Sequence, residues 1–185
     1  MNLPSADLSV RVAWTEDAAG IGLVQVRAWR EEYDGTLPAD VLEAMDAEQF
    51  AAGWHGALAK PGDARNRVLV ALESNRVRGF AVTTPSADGD ADPVSDGEIG
   101  ELVVDPDHRR QGHGSRLLQA CVDTLRADRF TRAVCWLTAG DDPRRALLTS
   151  AGWAPDGAHR ELDLRGDGAV LVKQVRLHTD ISEPA

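Results

Sequence analysis

Basic residues and glycines cluster in one short segment, which holds three arginines, two histidines and two glycines between His108 and Arg116. An apolar run before it and an amphipathic run after it predict a strand, this turn and then a helix. The first N–H groups of a helix lack internal partners, and the helix dipole makes that end positive. Gly112 and Gly114 have no Cβ, so the backbone can approach an anion closely. The segment therefore predicts a phosphate site, with a solvated arginine-rich turn as the open alternative.

Two common nucleotide-binding motifs are excluded by the same residues. The chain has no Gly-x-x-x-x-Gly-Lys-Ser/Thr sequence, so the turn is not a P-loop. Gly112 and Gly114 are not followed by the third glycine of the dinucleotide fingerprint, and the preceding strand does not open a β-α-β repeat. The predicted phosphate site therefore belongs to neither of these classes.

The surrounding sequence predicts the elements that position this turn. A strand over 98–105 leads into it, and a helix with an apolar stripe runs from Gly112 to about Arg129. Helical sequence from Pro38 to about Ala59 is predicted to break near Gly53. Further strands are predicted at 10–14, 68–72, 77–84, 133–137, 159–164 and 170–178, and further helices at 17–29 and 142–151. This order predicts an α/β mixed sheet flanked by helices.

Length and composition restrict the class of protein. The 185 residues, 43% hydrophobic and 27% charged, fit one globular domain over 1–185. The net charge of −10 argues against a general nucleic-acid binder, and no apolar run is long enough for a membrane span. The N-terminal sequence shows no leader pattern, and the two cysteines, Cys121 and Cys135, suit a reducing compartment. We therefore expect a cytoplasmic protein with both thiols in its core.

An acidic loop is predicted over 85–97. Its aspartates Asp88, Asp90 and Asp92 alternate as in a calcium loop, but Pro93 stands where that motif needs glycine. We therefore predict no metal site.

The basic turn also carries a family signature. Residues 109–114 match the pattern Gln/Arg-x-x-Gly-x-Gly/Ala, and so resemble the GNAT superfamily of acyl-CoA-dependent N-acetyltransferases. The strand and turn at 102–106, the helix end at 146–153 and the N-terminal segment 10–38 are also similar to that family. The resemblance therefore covers nearly the whole chain.

The resemblance implies a fold and a cosubstrate. The fold would be α/β, with a mixed, mostly antiparallel sheet of about seven strands splayed into a V and flanked by helices. The cosubstrate would be acetyl-CoA, with its pyrophosphate on the turn and its pantetheine paired with the backbone beside a bulge near Val103. A free N–H there would also polarise the thioester carbonyl. The cofactor-binding residues that the resemblance implies are Val103, Val104, Arg109, Arg110, Gln111, Gly112, His113, Gly114, Ser115 and Asp141.

Acetyl transfer to an amine requires a neutral nucleophile, so a base must take a proton. A lysine-like amine with a pKa of ~10.4 is mostly protonated near neutral pH. Many members of the family that the chain resembles carry a glutamate with this role at the position of Glu98. Glu101 would face the opposite side of a regular strand. We therefore predict Glu98 as the base in preference to Glu101, with two solvated carboxylates as the alternative.

Two positions depart from the family pattern. Leu148 stands where the family often has a tyrosine that protonates the CoA thiolate, and the chain's one tyrosine is Tyr33. Water, another side chain or an impaired enzyme are the open explanations. Asp141 replaces the family's pantetheine-contacting asparagine, and capping of the helix that follows is favoured for it over ligand contact.

The expected acceptor is a small-molecule or peptide amine, since the family that the chain resembles acts on amines. Trp29, Glu32 and Tyr33, with Glu31, are the candidates for lining its cleft, and ordinary helix-end packing is their alternative. The expected reaction is direct attack in a ternary complex without a covalent acyl-enzyme. A non-catalytic acyl-CoA-binding sensor or regulatory module, and a structural domain without a ligand, stay open, as does a homodimer.

Overall fold

The structure is a computed structural model that describes residues 8–182, which form seven strands and five helices. The strands follow the order β1-β2-β3-β4-β5-β7-β6 in one sheet, and β4–β5 is a parallel pair. The α/β class and the mostly antiparallel seven-stranded sheet are therefore confirmed. The elements are β1 Leu8–Val12, α1 Ala18–Glu32, α2 Ala39–Glu43, α3 Ala47–Ala59, β2 Arg67–Glu73, β3 Arg76–Pro85, β4 Asp96–Val104, α4 His113–Ala127, β5 Arg132–Thr138, α5 Asp142–Ser150, β6 Ala154–Asp163 and β7 Leu171–Asp180.

The described residues fall into two compact units that alternate along the chain. The first unit comprises the residues up to Thr83 together with Glu101–Cys121, and the second comprises Thr84–Gly100 and the residues from Val122 onward. None of the described helices is long and apolar enough to cross a membrane. A single acetyltransferase domain over 1–185 stays a prediction.

In the first unit, β1, β2 and β3 form an antiparallel sheet. Ser74 and Asn75 connect β2 to β3 with φ angles of 49° and 62°, as a tight hairpin turn requires. Apolar side chains of α1, β2 and β3 share one core, which includes Ile21, Val70 and Phe80, each fully buried. This core fixes α1, which carries several of the candidate acceptor residues, against the sheet.

The helical sequence after Pro38 breaks at a different place from the one predicted. The break comes before Ala47, where the Asp46 carboxylate accepts hydrogen bonds from the N–H groups of Glu48 and Gln49 at 2.7 and 3.2 Å. Gly53 lies inside α3 and is exposed, so its lack of a side chain leaves no gap in the packing. The prediction of a break near Gly53 is therefore wrong, because the capping aspartate determines where the second helix begins.

Helices α1 and α3 meet at Gly22, and we expect Gly22→Ala to lower the free energy of unfolding by about 1–3 kcal/mol. A Cβ at Gly22 would lie 2.7 Å from the Ala51 nitrogen and 2.8 Å from the Ala47 oxygen, both backbone atoms. The helices would have to separate, which should lower Tm by about 2–4 °C for each kcal/mol. Thermal unfolding followed by circular dichroism measures the change.

Gly53→Ala is the matched control on the facing helix. Nothing lies within 4 Å of a Cβ at Gly53, and alanine favours helix by up to about 1 kcal/mol over glycine. This variant should therefore be slightly more stable than the parent. Equal and unchanged Tm values for both variants would contradict the close packing at Gly22.

In the second unit, β5 pairs with β7 and β7 with β6, both antiparallel. The described β4–β5 register covers four parallel pairs, from Asp96↔Arg132 to Ile99↔Cys135. Gly97 permits close packing here, because a Cβ would lie 2.6 Å from Leu125 Cδ2. The base candidate Glu98 lies within this paired part of β4, between buried neighbours.

Candidate functional site

The turn between β4 and α4 is anchored by Asp105, which is 2% exposed. The Asp105 N–H donates to the Arg78 carbonyl at 2.7 Å, and its carboxylate accepts from Arg27 at 3.0 Å. The same carboxylate caps the short helical turn Pro106–His108. A buried carboxylate without partners is costly, so these contacts fix the backbone where it enters the basic segment.

The basic turn adopts left-handed backbone at two positions. Arg110 has a φ of 63° and Gly112 a φ of 84°, the second being a conformation that glycine adopts without strain. Helix α4 begins at His113, and Arg116 N–H is bonded back to the Gly112 oxygen at 3.2 Å. The earlier N–H groups of α4 have no acceptor within the helix, so they can bind an anion. The backbone therefore has the geometry that a phosphate cradle requires, and phosphate binding at this turn stays a prediction.

The arginines of the turn differ in their contacts. Arg109 pairs with Glu31 of α1, and Arg116 Nη1 donates to the Gln111 carbonyl at 3.3 Å. Arg110 is exposed, and no ion pair joins it to another described residue of the chain. Its guanidinium is therefore the one best placed to take a ligand, whereas Arg109 would first have to leave Glu31.

His113 differs from its expected role as a source of positive charge. Its side chain is buried, at 2% exposed, and its Nε2 has no hydrogen-bond partner among the described residues. Burial lowers the pKa of His113, with Glu73 opposing that change, so the imidazole is neutral near pH 7. The His113 side chain therefore adds no positive charge near pH 7, and contact of His113 with the cofactor stays a prediction.

The predicted pantetheine-binding backbone at Val103 and Val104 lies close to Gly79 of β3. A Cβ at Gly79 would meet the Val103 oxygen at 2.7 Å and the Val104 Cα at 3.3 Å. Glycine at this position therefore permits a backbone contact that any side chain would prevent. The bulge near Val103, the splaying of the sheet and the pairing of pantetheine with Val103 and Val104 stay predictions.

Glu98 is half-buried in the second unit and accepts a hydrogen bond from Ser86 Oγ at 3.3 Å. Burial, and then the charge of Asp88, raise the pKa of Glu98 above its ordinary 4.5, while Arg160, the Ser86 hydroxyl and Arg176 lower it. A carboxylate with a raised pKa in a half-buried position is suited to accept a proton. This environment favours a base over a solvated strand-edge carboxylate.

The acidic loop before β4 is held by arginine rather than arranged around a metal. Arg176 contacts Asp88 at 2.8 Å and Asp90 at 2.6 Å, and it lowers the pKa of Asp90 to about 2. Across residues 8–182 no group of three or more His, Cys, Asp or Glu side chains could hold a metal ion. The contact of Arg176 with this loop was not predicted from the sequence. The alternating aspartates indicated that the loop binds a cation, but not that the cation is an arginine side chain.

Comparison with known proteins identifies the family. The model of the acetyltransferase (GNAT) family matches residues 26–153, which is more than half of the chain and includes the basic turn and Glu98. The chain belongs to this family.

Curated relatives of this family member include two mycothiol acetyltransferases. That of Kineococcus radiotolerans is 38% identical over 130 residues, which cover 64% of this chain and 40% of the relative. That of Mycolicibacterium vanbaalenii is 31% identical over 129 residues, covering 65% and 40%. The chain thus spans about 40% of the length of the mycothiol acetyltransferases that it matches.

Solved structures support the GNAT fold. YncA of Salmonella typhimurium, described with its cofactor acetyl-CoA, superposes with a TM-score of 0.70 at 18% identity, covering 97% of both chains. PaiA N-acetyltransferase of Thermoplasma acidophilum, in complex with coenzyme A, gives a TM-score of 0.66 at 13% identity and covers 91% of this chain and 98% of that one. At these identities the likeness concerns the fold.

Of the two positions that depart from the family pattern, Asp141 caps the start of α5 and Leu148 lies within it. The Asp141 carboxylate accepts from Arg144 N–H at 3.0 Å and pairs with Arg144 Nε at 3.1 Å, so it caps the helix as favoured from the sequence. Leu148 is fully buried, and it offers no proton in place of the family's tyrosine. Contact of Asp141 with pantetheine stays a prediction.

The candidate acceptor residues Trp29 and Tyr33 lie together at the C-terminal end of α1. Their rings meet edge to face with centroids 5.9 Å apart, and Phe50 of α3 packs on Trp29 in the same way at 5.4 Å. Trp29, Tyr33 and Glu32 are each half-exposed. Sequence reasoning missed Phe50, because the pairing of α1 with α3 is a tertiary contact. The three rings form an aromatic surface that an amine-bearing molecule can contact.

Proposed function

We propose that the protein transfers an acetyl group from acetyl-CoA to a primary amine, by direct attack in a ternary complex. Membership of the acetyltransferase (GNAT) family supports the chemistry. The observation that carries the proposal is the turn in which Gly112, with a φ of 84°, exposes the N-terminus of α4. The N–H groups of residues 112–115 would hold the pyrophosphate, and the Arg110 side chain would add a charged contact.

Glu98 would act as the general base. It would take a proton from the amine, directly or through one water, while the amine nitrogen bonds to the thioester carbonyl carbon and the C–S bond breaks. The CoA thiolate, with a pKa near 8.5, leaves and takes a proton from solvent. The burial of Leu148 is consistent with this last step, since no acidic group stands at that position.

The acetyl group would pass to the acceptor without first binding to the protein. Both cysteines are buried, Cys121 completely and Cys135 with 3% exposed, so neither sulfur is accessible to a thioester. A reactive cysteine is normally accessible and lies in electropositive surroundings. The burial of both thiols supports direct transfer between the two substrates.

The acceptor is proposed to be a small-molecule or peptide amine bound beside the aromatic surface of Trp29, Tyr33 and Phe50. An amine cation attached to an apolar body suits such rings. The net charge of −10 also favours a cationic acceptor over an anionic one. Because two relatives are named mycothiol acetyltransferases, the acceptor of those enzymes should be included among the amines tested. We also propose a cytoplasmic location and a homodimer.

A non-catalytic acyl-CoA-binding sensor or regulatory module is the second candidate. Leu148 favours it, because the family's usual proton donor is missing there. The two functions share the binding of acetyl-CoA and differ in turnover, so one pair of measurements separates them.

The test combines binding with turnover. Calorimetry with acetyl-CoA should show binding, and release of CoA should rise with at least one member of a panel of cationic and apolar amines added one by one. Turnover on any amine supports the enzyme. Binding without turnover across the panel supports the sensor, and absence of binding to both acetyl-CoA and CoA overturns both.

A further inference from the structure

Arg176 of β7 is a buried cation that holds three carboxylates. Its side chain is 5% exposed. Its guanidinium donates to Asp88 at 2.8 Å, to both oxygens of Asp90 at 2.7 and 2.6 Å, and to Asp156 at 2.8 Å. These ion pairs join the acidic loop to β6 and β7. The buried Arg176 guanidinium holds these carboxylates in place, because breaking one ion pair would leave a buried charge without its partner.

Asp88 connects this cluster to the base candidate. Trp136 Nε1 lies 3.0 Å from one oxygen of Asp88 and 3.2 Å from the other, which fixes the carboxylate from a second side. The Asp88 N–H points to Ser86 Oγ at 3.5 Å, and that hydroxyl donates to Glu98 Oε2 at 3.3 Å. A continuous chain of contacts therefore runs from Arg176 through Asp88 and Ser86 to Glu98.

A second arginine completes the surroundings of Asp88. The Arg160 guanidinium lies over the Trp136 ring, 4.1 Å from its centroid, and 3.7 Å from Asp88 Oδ1. Arg160 is also bonded to Gln174 on β7 at 2.8 Å. The acidic loop is thus held from β5, β6 and β7 at once, which a flexible surface loop would not need.

We propose that Arg176, acting through Asp88 and Ser86, is a positioning residue for the Glu98 carboxylate. The proposal rests on the proposed role of Glu98 as the base. Arg176 does not touch the reacting atoms. Arg176 fixes the acidic loop, in which the Ser86 hydroxyl orients Glu98. It also neutralises the Asp88 carboxylate.

The groups that act on Glu98 have opposite signs, which gives the proposal a distinctive signature. Asp88 raises the pKa of Glu98, whereas Arg160, the Ser86 hydroxyl and Arg176 lower it. Asp88→Asn should therefore lower this pKa, and Ser86→Ala or Arg176→Gln should raise it. A role limited to fold stability would not move the pKa in opposite directions.

The experiment measures the acid side of the pH profile of kcat/KM. Asp88→Asn should move the fall in activity to lower pH, while Ser86→Ala and Arg176→Gln should move it to higher pH. A displacement of one pH unit corresponds to an about tenfold change in kcat/KM on the acid slope. Ser86→Ala removes a single hydroxyl and serves if Arg176→Gln fails to fold. Asp167→Asn, which alters an exposed pair with Arg165, is the control that should leave the profile in place.

A second readout separates this inference from the role of Glu98. Carbon-13 NMR of glutamate-labelled protein, assigned by the loss of one signal in Glu98→Gln, follows the Glu98 titration without any turnover. Opposite displacements by Asp88→Asn and Ser86→Ala support the positioning role even if Glu98→Gln stays active, in which case only the base role fails. An unmoved Glu98 titration in all three variants overturns the positioning role.

Discussion

Replacing Glu98 by glutamine is expected to lower kcat by about 10²–10⁴-fold, the range that a general base contributes. Glutamine has nearly the same shape and can still accept from Ser86 Oγ, which lies 3.3 Å from the carboxylate. It cannot take a proton from the amine. The fold and the affinity for acetyl-CoA should therefore be retained, and steady-state CoA release at saturating amine measures the loss.

The same substitution should remove the acid side of the pH profile. As the proposed base, Glu98 would act in its ionised form, and burial followed by the charge of Asp88 raises its pKa above 4.5. Activity of the parent should therefore fall as the pH drops through a value above 4.5, and be fully present well above it. In Glu98→Gln the remaining activity should no longer show this fall.

Two further variants show whether the effect belongs to Glu98. Glu101→Gln changes the alternative candidate on the same strand, and Glu161→Gln changes an exposed carboxylate of β6. Both should keep kcat within a few-fold of the parent. A large loss in Glu101→Gln with full activity in Glu98→Gln would assign the base to Glu101 instead.

Gly112→Ala is expected to weaken binding of acetyl-CoA by about 10–100-fold. A φ of 84° is strained for alanine, and a Cβ would lie 2.5 Å from Arg116 Nη1, so the turn and that side chain must both shift. Charge-assisted hydrogen bonds from the cradle to the pyrophosphate are worth about 1.5–3 kcal/mol each, and losing one gives an effect of this size. Titration calorimetry with acetyl-CoA measures the dissociation constant.

Gly152→Ala is the matched control for backbone strain. Gly152 ends α5 with a φ of 88°, and nothing lies within 4 Å of a Cβ there. It should cost similar stability but bind acetyl-CoA as the parent does. If Gly112→Ala binds with unchanged affinity, the basic turn is a solvated surface segment and the phosphate cradle is wrong.

The turn could be predicted from sequence because its determinants are local. Gly112, the arginines beside it and the apolar stripe of α4 are adjacent in the chain, so the change from strand to helix can be recognised from spacing alone. Capping by Asp141 is local for the same reason. Glu98 was proposed from the family resemblance rather than from local spacing, and its raised pKa depends on burial that the sequence does not determine.

What could not be predicted depends on contacts between distant segments. Arg176 and Asp88 are 88 positions apart, and they meet because β5–β7 pairing places Arg176 beside Trp136, which also contacts Asp88. Phe50 joins Trp29 through the packing of α3 on α1. Neither pair produces a periodic pattern in the sequence, because the tertiary fold determines which strand or helix packs against which. The residues that change the pKa of Glu98 could therefore not be predicted from the sequence, although Glu98 itself could be proposed from it.

The burial of Cys121 and Cys135 makes the protein convenient to assay. A chromogenic thiol reagent reacts with exposed thiolates, and both protein sulfurs are shielded in the folded state. Such a reagent in the cuvette should therefore leave the protein unmodified and report each CoA molecule as it leaves. Turnover on a large set of amines can then be followed continuously and without labels.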